Sequence, residues 1–382
     1  MGSVRLRDAR IEFVALCGRT SSALPHPESS IQTLFNSHKY GMISCRAAYV
    51  LLAGRSQGRI KQRKGRIMDN SSYELFRRHP GNPILSVGHW PYKANSVVNA
   101  AAVEVEGRIV LLARVEDFRG MSHLTAARSE DGITNWQIDR SPTMRPEPQT
   151  HPEEMWGIED PRITWIDEIG KWAICYTAYS QGGPLVSLAL TSDFKSFERL
   201  GSVMPPEDKD AALFPVRFNG LWAMLHRPVP RSSMLGAHIW LSFSPDLKHW
   251  GQHQEIIQAR EGGWWDANKI GLCAPPMETK EGWLILYHGV RTTASGSIYR
   301  LGLALLDLEN PAKVIRRTDE WIFGPKAPYE REGDVDDVVF PCGWVKKGQK
   351  VFMYYGAADS RVCLATADFD ELVGFVLKGV GQ

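Results

Sequence analysis

Short apolar runs of strand length recur in pairs from residue 68 onward. The first members of the pairs are "RIVLLARV" (108–115), "KWAICYTAY" (171–179), "LWAMLHRP" (221–228), "GWLILYHGV" (282–290) and "KVFMYYGAAD" (350–359). After each comes a turn and a second run, which ends in a small or polar residue and an aspartate set in another turn. These aspartates are Asp131, Asp193, Asp246, Asp307 and Asp368, spaced 62, 53, 61 and 61 residues apart. Five such units, each supplying several short strands and a tight turn, predict an all-β chain folded as a five-bladed β-propeller over 68–382. A β-sandwich with coincidental spacing is the alternative. No long helical periodicity appears, and no linker rich in Pro, Gly or Ser divides the units.

Propeller blades turn the same strand position toward one central channel. Near that position the first runs carry Arg114, then Tyr176 and Tyr179, His226 and Arg227, Tyr287 and His288, and finally Asp359. This predicts a polar pocket assembled from all the blades. The aspartate turns, of which "SEDGITNW" (129–136) is the fullest, resemble the Asp-box of carbohydrate-active propellers and read as structural caps.

Composition fits a β-rich, turn-rich chain, with 13 tryptophans and 34 glycines among 382 residues. The net charge of +2 gives no general affinity for polyanions, so no nucleic-acid partner is expected. That charge is uneven. Residues 1–67 hold 12 Lys/Arg against Asp8, Glu12 and Glu28, while the rest of the chain is acidic. This basic N-terminal extension is expected to be poorly ordered or outside the native core. Met68 as the true start is the preferred reading, with an accessory segment and a targeting segment as the others. No apolar run approaches the ~20 residues that span a bilayer, so no membrane partner is expected. The six scattered cysteines lack CxxC spacing and read as free thiols in a reducing, cytoplasmic setting.

Candidate chemistry gathers in a few stretches. "WGIEDPRITW" (156–165) sets Glu159 and Asp160 before Pro161 and Arg162 in an otherwise apolar strand. Lys209, His226, Arg227 and Lys269 fall in three successive strand-proximal stretches with apolar flanks. Buried cations require an anionic partner, either the chain's own carboxylates or a bound phosphate. Metal-ligand spacing is absent, as are GxxxxGK[ST], GxGxxG and GxSxG, so no metal or organic cofactor is expected.

In the order "GNPIL" (81–85), "GIEDPR" (157–162), "KDAALFP" (209–215), "LHRP" (225–228), "NKIG" (268–271), "YHGV" (287–290), "VVFPCG" (338–343) and "YYGAAD" (354–359), the chain resembles glycoside hydrolase family 130. The resemblance runs from about residue 79 to the C-terminus. It implies a five-bladed propeller acting on β-mannosides, either an inverting phosphorylase or a hydrolase. It makes Asp160 the general acid, reaching the glycosidic oxygen through the mannose 3-hydroxyl. Asn99, Arg114 and Asp359 match positions that hold the mannosyl unit, and Lys209, Arg227 and Lys269 match those that hold phosphate. Tyr287 and His288 fall where the family lines the pocket near phosphate or acceptor. One departure, "VVNAAA" where an aromatic more often precedes the asparagine, bears on the acceptor side. Members of the family often self-associate, so a homo-oligomer is an arrangement the resemblance allows.

An inverting hydrolase needs a second carboxylate as base, about 6.5–9.5 Å from the acid, to deprotonate water. Phosphate is already an anionic nucleophile and needs cations instead. Basic Lys209, Arg227 and Lys269 therefore favour phosphorolysis of a β-mannoside such as β-1,4-mannosyl-glucose or a β-mannooligosaccharide. Inorganic phosphate is then a cosubstrate, and α-mannose 1-phosphate a product. A β-mannosidase and a non-catalytic sugar-binding propeller are the competing readings. Asp160 is expected to have its pKa raised by partial burial. Pro161 is expected to fix the backbone, Arg162 to tie the corner by a salt bridge, and Glu159 to be structural.

Overall fold

A computed structural model of the chain describes residues 74–229 and 236–379. The basic segment expected over 1–67 lies outside the described residues. The strands form five antiparallel sheets, the blades of a β-propeller. Blade 1 comprises Ser96–Val105, Arg108–Glu116, Ser122–Ser129 and Gln137–Ile138. Blade 2 comprises Ile158–Ile166, Lys171–Ser180, Gly183–Thr191 and Glu198–Ser202. Blade 3 comprises Asp208–Phe218, Leu221–Pro228, Ile239–Ser244 and Gly251–Ile257. Blade 4 comprises an innermost strand in two pieces, Lys269–Leu272 and Met277–Glu278, then Trp283–Thr293, Gly296–Leu306 and Val314–Arg317. Blade 5 comprises Val339–Lys347, Lys350–Ala357 and Arg361–Asp368.

The short strand Arg77–Arg78 completes blade 5 from the other end of the chain, pairing antiparallel with Arg361–Asp368. The pairing ties the two ends of the chain together and covers part of the outer edge of blade 5. Arg78 clamps it. Its Nε and Nη2 donate to the two carboxylate oxygens of Glu330 at 2.7 and 2.8 Å, and its Nη1 to Glu74 at 2.7 Å. Glu330 is fully buried and also accepts from the backbone of Lys326 and Ala327 and from the Tyr355 hydroxyl.

The apolar core is divided among the blade junctions. One cluster joins blades 1 and 2 through Leu124, Ile158 and Tyr176. Others join blades 2 and 3, 3 and 4, 4 and 5, and 5 and 1. Strand alternation makes this possible, because each blade offers an apolar face to both neighbours. The predicted aspartate turns are present. Asp131, Asp193, Asp246 and Asp307 each accept two backbone N–H groups from the residues two and three positions on. Asp368 instead caps the helix Phe369–Val376, whose apolar face joins the cluster between blades 4 and 5. Among the described residues no helix is long and apolar enough to cross a membrane.

One sequence reading is corrected here. The paired runs are the second and third strands of each blade, and the innermost strand precedes them. The first strands of blades 5, 1, 2, 3 and 4 pack on one another in that order around the axis.

Breaking the clamp leaves a buried carboxylate without its cation. Arg78→Ala is expected to lower unfolding stability by about 3 kcal/mol, read from the midpoint of a chemical denaturation curve.

Candidate active site

The innermost strands of blades 1, 2 and 3 break register at one place. The pairing skips between Val98 and Ala101, between Glu159 and Arg162, and between Lys209 and Ala212. Inside each bulge sits a residue in the left-handed region: Asn99 at φ 49°, Asp160 at 48° and Asp210 at 55°. Asn and Asp tolerate this backbone better than other side chains do, and a bulge re-aims the side chain it carries. Asp359 follows the second strand of blade 5 with φ 47°.

The bulges deliver their polar groups into one cluster. Asn99 Nδ2 donates to Asp160 Oδ1 at 2.9 Å, and Arg114 Nη1 lies 3.4 Å from the same oxygen. Arg114 Nη2 reaches Glu159 at 3.1 Å and Glu116 at 3.3 Å. On the far side Asp210, 1% exposed, takes Arg227 Nε at 2.7 Å and Arg162 Nη2 at 3.3 Å. His288 Nε2 stands 3.6 Å from Asp210, and Lys269 Nζ lies 5.4 Å from the Tyr299 ring centroid. Gly271 makes this convergence possible: a Cβ there would stand 2.4 Å from Asp210 Oδ2 and 2.6 Å from His288 Cε1.

Charge is divided across the cluster. Around Arg114 stand three acids within ion-pair reach, Glu116, Glu159 and Asp160, with Asp359 close enough to act on its charge. Around Asp210 the cations Arg227, Arg162 and Lys209 are in excess, and Lys269 acts on the adjoining His288. Neither Lys209 nor Lys269 has a salt bridge to a described carboxylate.

Proton affinities follow from this division. Burial pushes Asp160 upward, but Arg114, Lys209, Arg162 and the Asn99 hydrogen bond outweigh it and hold Asp160 below the ordinary aspartate value. The raised pKa expected for Asp160 is therefore corrected. Asp359 is the carboxyl that rises, to about 6, through burial first, with Asp160 and Glu159 adding to it against Arg114 and Lys209. Burial lowers His288 to about 3, so its imidazole is neutral near pH 7.

Of the residues marked in the sequence, Asn99, Arg114, Asp160, Lys209, Arg227, Lys269, His288 and Asp359 share this cluster. Tyr287 does not. Its hydroxyl donates to Asp266 at 3.2 Å and accepts from Arg317 Nε at 3.1 Å, with the ring stacked on Trp265 between blades 3 and 4. Adjacent strand residues face opposite ways, so placing His288 in the cluster turns Tyr287 out of it. The same alternation sends His226 to Asp208 and Ser242, at 2.6 and 2.7 Å, while Arg227 faces Asp210. Tyr176 is likewise buried against Glu154 at 2.7 Å. Arg162 ties the corner as expected: besides Asp210, it donates to the carbonyls of Asp160, Leu272 and Cys273. Asp210 was not singled out as a site residue in the sequence. The signal available was a polar residue at one register in "VNAA", "EDPR" and "KDAA".

The glycoside hydrolase family 130 model, described as beta-1,4-mannooligosaccharide phosphorylase, matches residues 77–378. The chain belongs to this family. It is 36% identical over 287 residues to a 1,2-beta-oligomannan phosphorylase of Thermoanaerobacter sp. (strain X514), covering 72% of this chain and 91% of that relative. To a beta-1,4-mannooligosaccharide phosphorylase of Ruminococcus albus it is 34% identical over 311 residues, covering 79% and 91%. Among solved structures, the beta-1,2-mannobiose phosphorylase of Listeria innocua in complex with beta-1,2-mannobiose superposes with a TM-score of 0.71 at 29% identity. The superposition covers 79% of this chain and 99% of that one.

The raised Asp359 has a stability consequence of definite sign. A carboxyl with a higher pKa folded than unfolded contributes stability at low pH, and that contribution is lost as pH rises through the folded value. Asp359→Asn is therefore expected to gain in melting temperature over the wild type between about pH 5 and about pH 8, read by thermal denaturation at both.

Proposed function

We propose that this chain catalyses the inverting phosphorolysis of β-mannosides, such as β-1,4-mannosyl-glucose or a β-mannooligosaccharide. Orthophosphate forms a bond to the anomeric carbon of the non-reducing mannosyl residue as the glycosidic bond breaks. The proton of Asp160 passes to the departing oxygen, and the products are α-mannose 1-phosphate and the shortened acceptor. Asn99, Arg114 and Asp359 orient the sugar. Lys209, Arg227 and Lys269 hold phosphate, with His288 beside them. Holding both reactants in line supplies much of the rate.

The division of charge carries this reading. Among the described residues, Asp210 is the carboxylate paired with the arginines of the phosphate half, held between Arg162 and Arg227. Its proton affinity is lowered by the cations around it, against the effect of burial, so it is a poor base for water. The same half has cations in excess for an anion of close to two charges.

The low proton affinity of Asp160 fits this chemistry. Lys209 is one of the cations that depress it. Phosphate on Lys209 cancels that pull and adds negative charge nearby, which raises Asp160 toward the protonation its role demands. The nucleophile thereby prepares the acid. Buried free thiols at Cys175, Cys273, Cys342 and Cys363 support a cytoplasmic setting.

Incubating β-1,2- and β-1,4-mannobiose, mannosyl-glucose and longer mannosides with and without orthophosphate tests the proposal. α-Mannose 1-phosphate is expected only with phosphate, and Asp160→Asn is expected to reduce kcat about a thousand-fold. Free mannose released at equal rates in both conditions would overturn phosphorolysis in favour of a β-mannosidase.

A further inference from the structure

Trp156 and Tyr179 are two large aromatic side chains left exposed beside the site, at 43% and 39%. Their ring centroids lie 5.3 Å apart with planes at 70°, an edge-to-face pair. Backbone bonds fix them: Trp156 N–H donates to Tyr179 O at 2.8 Å, and Tyr179 N–H to Gly157 O at 3.0 Å. Gly157, at φ +123°, lies so close to blade 1 that a Cβ would stand 2.8 Å from Ser122 N. Ser122 Oγ in turn accepts Arg114 Nε at 3.0 Å. The pair is thus tied through two contacts to the arginine that holds Asp160. Neither the core nor the charge cluster uses the exposed faces.

We propose that Trp156 and Tyr179 form the platform on which the leaving oligosaccharide lies, beyond the sugar that adjoins the scissile bond. This rests on the phosphorolysis reading for its direction. An inverting displacement brings the nucleophile in opposite the leaving group. Phosphate is held from blades 3 and 4 and the acid stands on blade 2, so the acceptor departs over the rim of blade 2, where this pair stands. Trp156 precedes Asp160 by four residues, at most about 13 Å of extended chain. That reach is long enough for the platform to meet a sugar beyond the one at the scissile bond. Exposed rings present apolar faces that match the C–H face of a pyranose, and their backbone locks spare the ordering cost of binding. The ligand class is a neutral mannooligosaccharide longer than a disaccharide.

The test compares kcat/KM for phosphorolysis of mannobiose, mannotriose and mannotetraose by the wild type, Trp156→Ala and Trp156→Phe. The tetraose-to-biose ratio is expected to fall about ten-fold in the alanine variant and to recover largely with phenylalanine. The KM for phosphate serves as the readout that a general disturbance of the site would move. An equal fractional loss at every chain length, or an unchanged ratio, overturns the platform. Calorimetric titration of mannotetraose without phosphate decides the same point independently of turnover. Weaker binding by Trp156→Ala supports the platform, and equal binding overturns it. Should the wild type show no phosphate-dependent turnover, the phosphorolysis reading falls while this titration still decides the platform.

Discussion

Three innermost strands leave their register at one height, and the site exists because of that shared bulge. In a regular pleat, Asn99, Asp160 and Asp210 would alternate into the apolar layers between blades, where an unpaired carboxylate is costly. The left-handed residue in each bulge turns the side chain to the axis instead, at a cost on the order of 1–3 kcal/mol for each strained position. The apolar clusters on both sides of every blade hold the strands firmly enough to bear that cost. Rigidity between the blades and strain at the axis therefore belong to one design.

The bulges also explain why charge is divided rather than mixed. Blades 1 and 2 bring Asn99, Arg114, Glu159 and Asp160 to one half of the channel, with hydrogen bonds that orient a single carboxylate oxygen. Blades 3 and 4 bring Arg227 and His288 around the buried Asp210, with Lys269 acting on His288. Arg162 crosses from blade 2 to both Asp210 and the carbonyls of blade 4, so the two halves share one structural brace. A neutral sugar with a proton donor suits the first half, and an anion suits the second. Lys209 acts on Asp160, Asp210 and Asp359 alike, which lets the charge state of one half set the proton affinity of the other.

Much of this was legible in the sequence. Apolar pairs and evenly spaced aspartate turns announced five blades, because the turn chemistry of Asp131 and its counterparts is local. The ordered motifs marked Asn99, Arg114, Asp160, Arg227 and His288, which the fold brings together. What failed was face and rank. Second strands look like innermost ones in the sequence because the innermost runs, such as "VVNAAAV", are as apolar as their neighbours. Tyr287 was assigned with His288 because a one-residue step reverses the face, and the sequence does not say which of two polar neighbours looks inward. The direction of the Asp160 shift depends on Arg114 and Lys209, which approach it from other blades. Burial was foreseeable from the flanking residues; the approach of Arg114 and Lys209 to Asp160 was not.

The division of charge is tested most directly by calorimetric titration of orthophosphate into the wild type, Lys269→Ala and Arg114→Ala. The account predicts that removing Lys269 weakens phosphate binding at least about ten-fold, while removing Arg114 leaves it within about two-fold of the wild type. Loss of phosphate binding on removing Arg114, with Lys269→Ala unaffected, would contradict it.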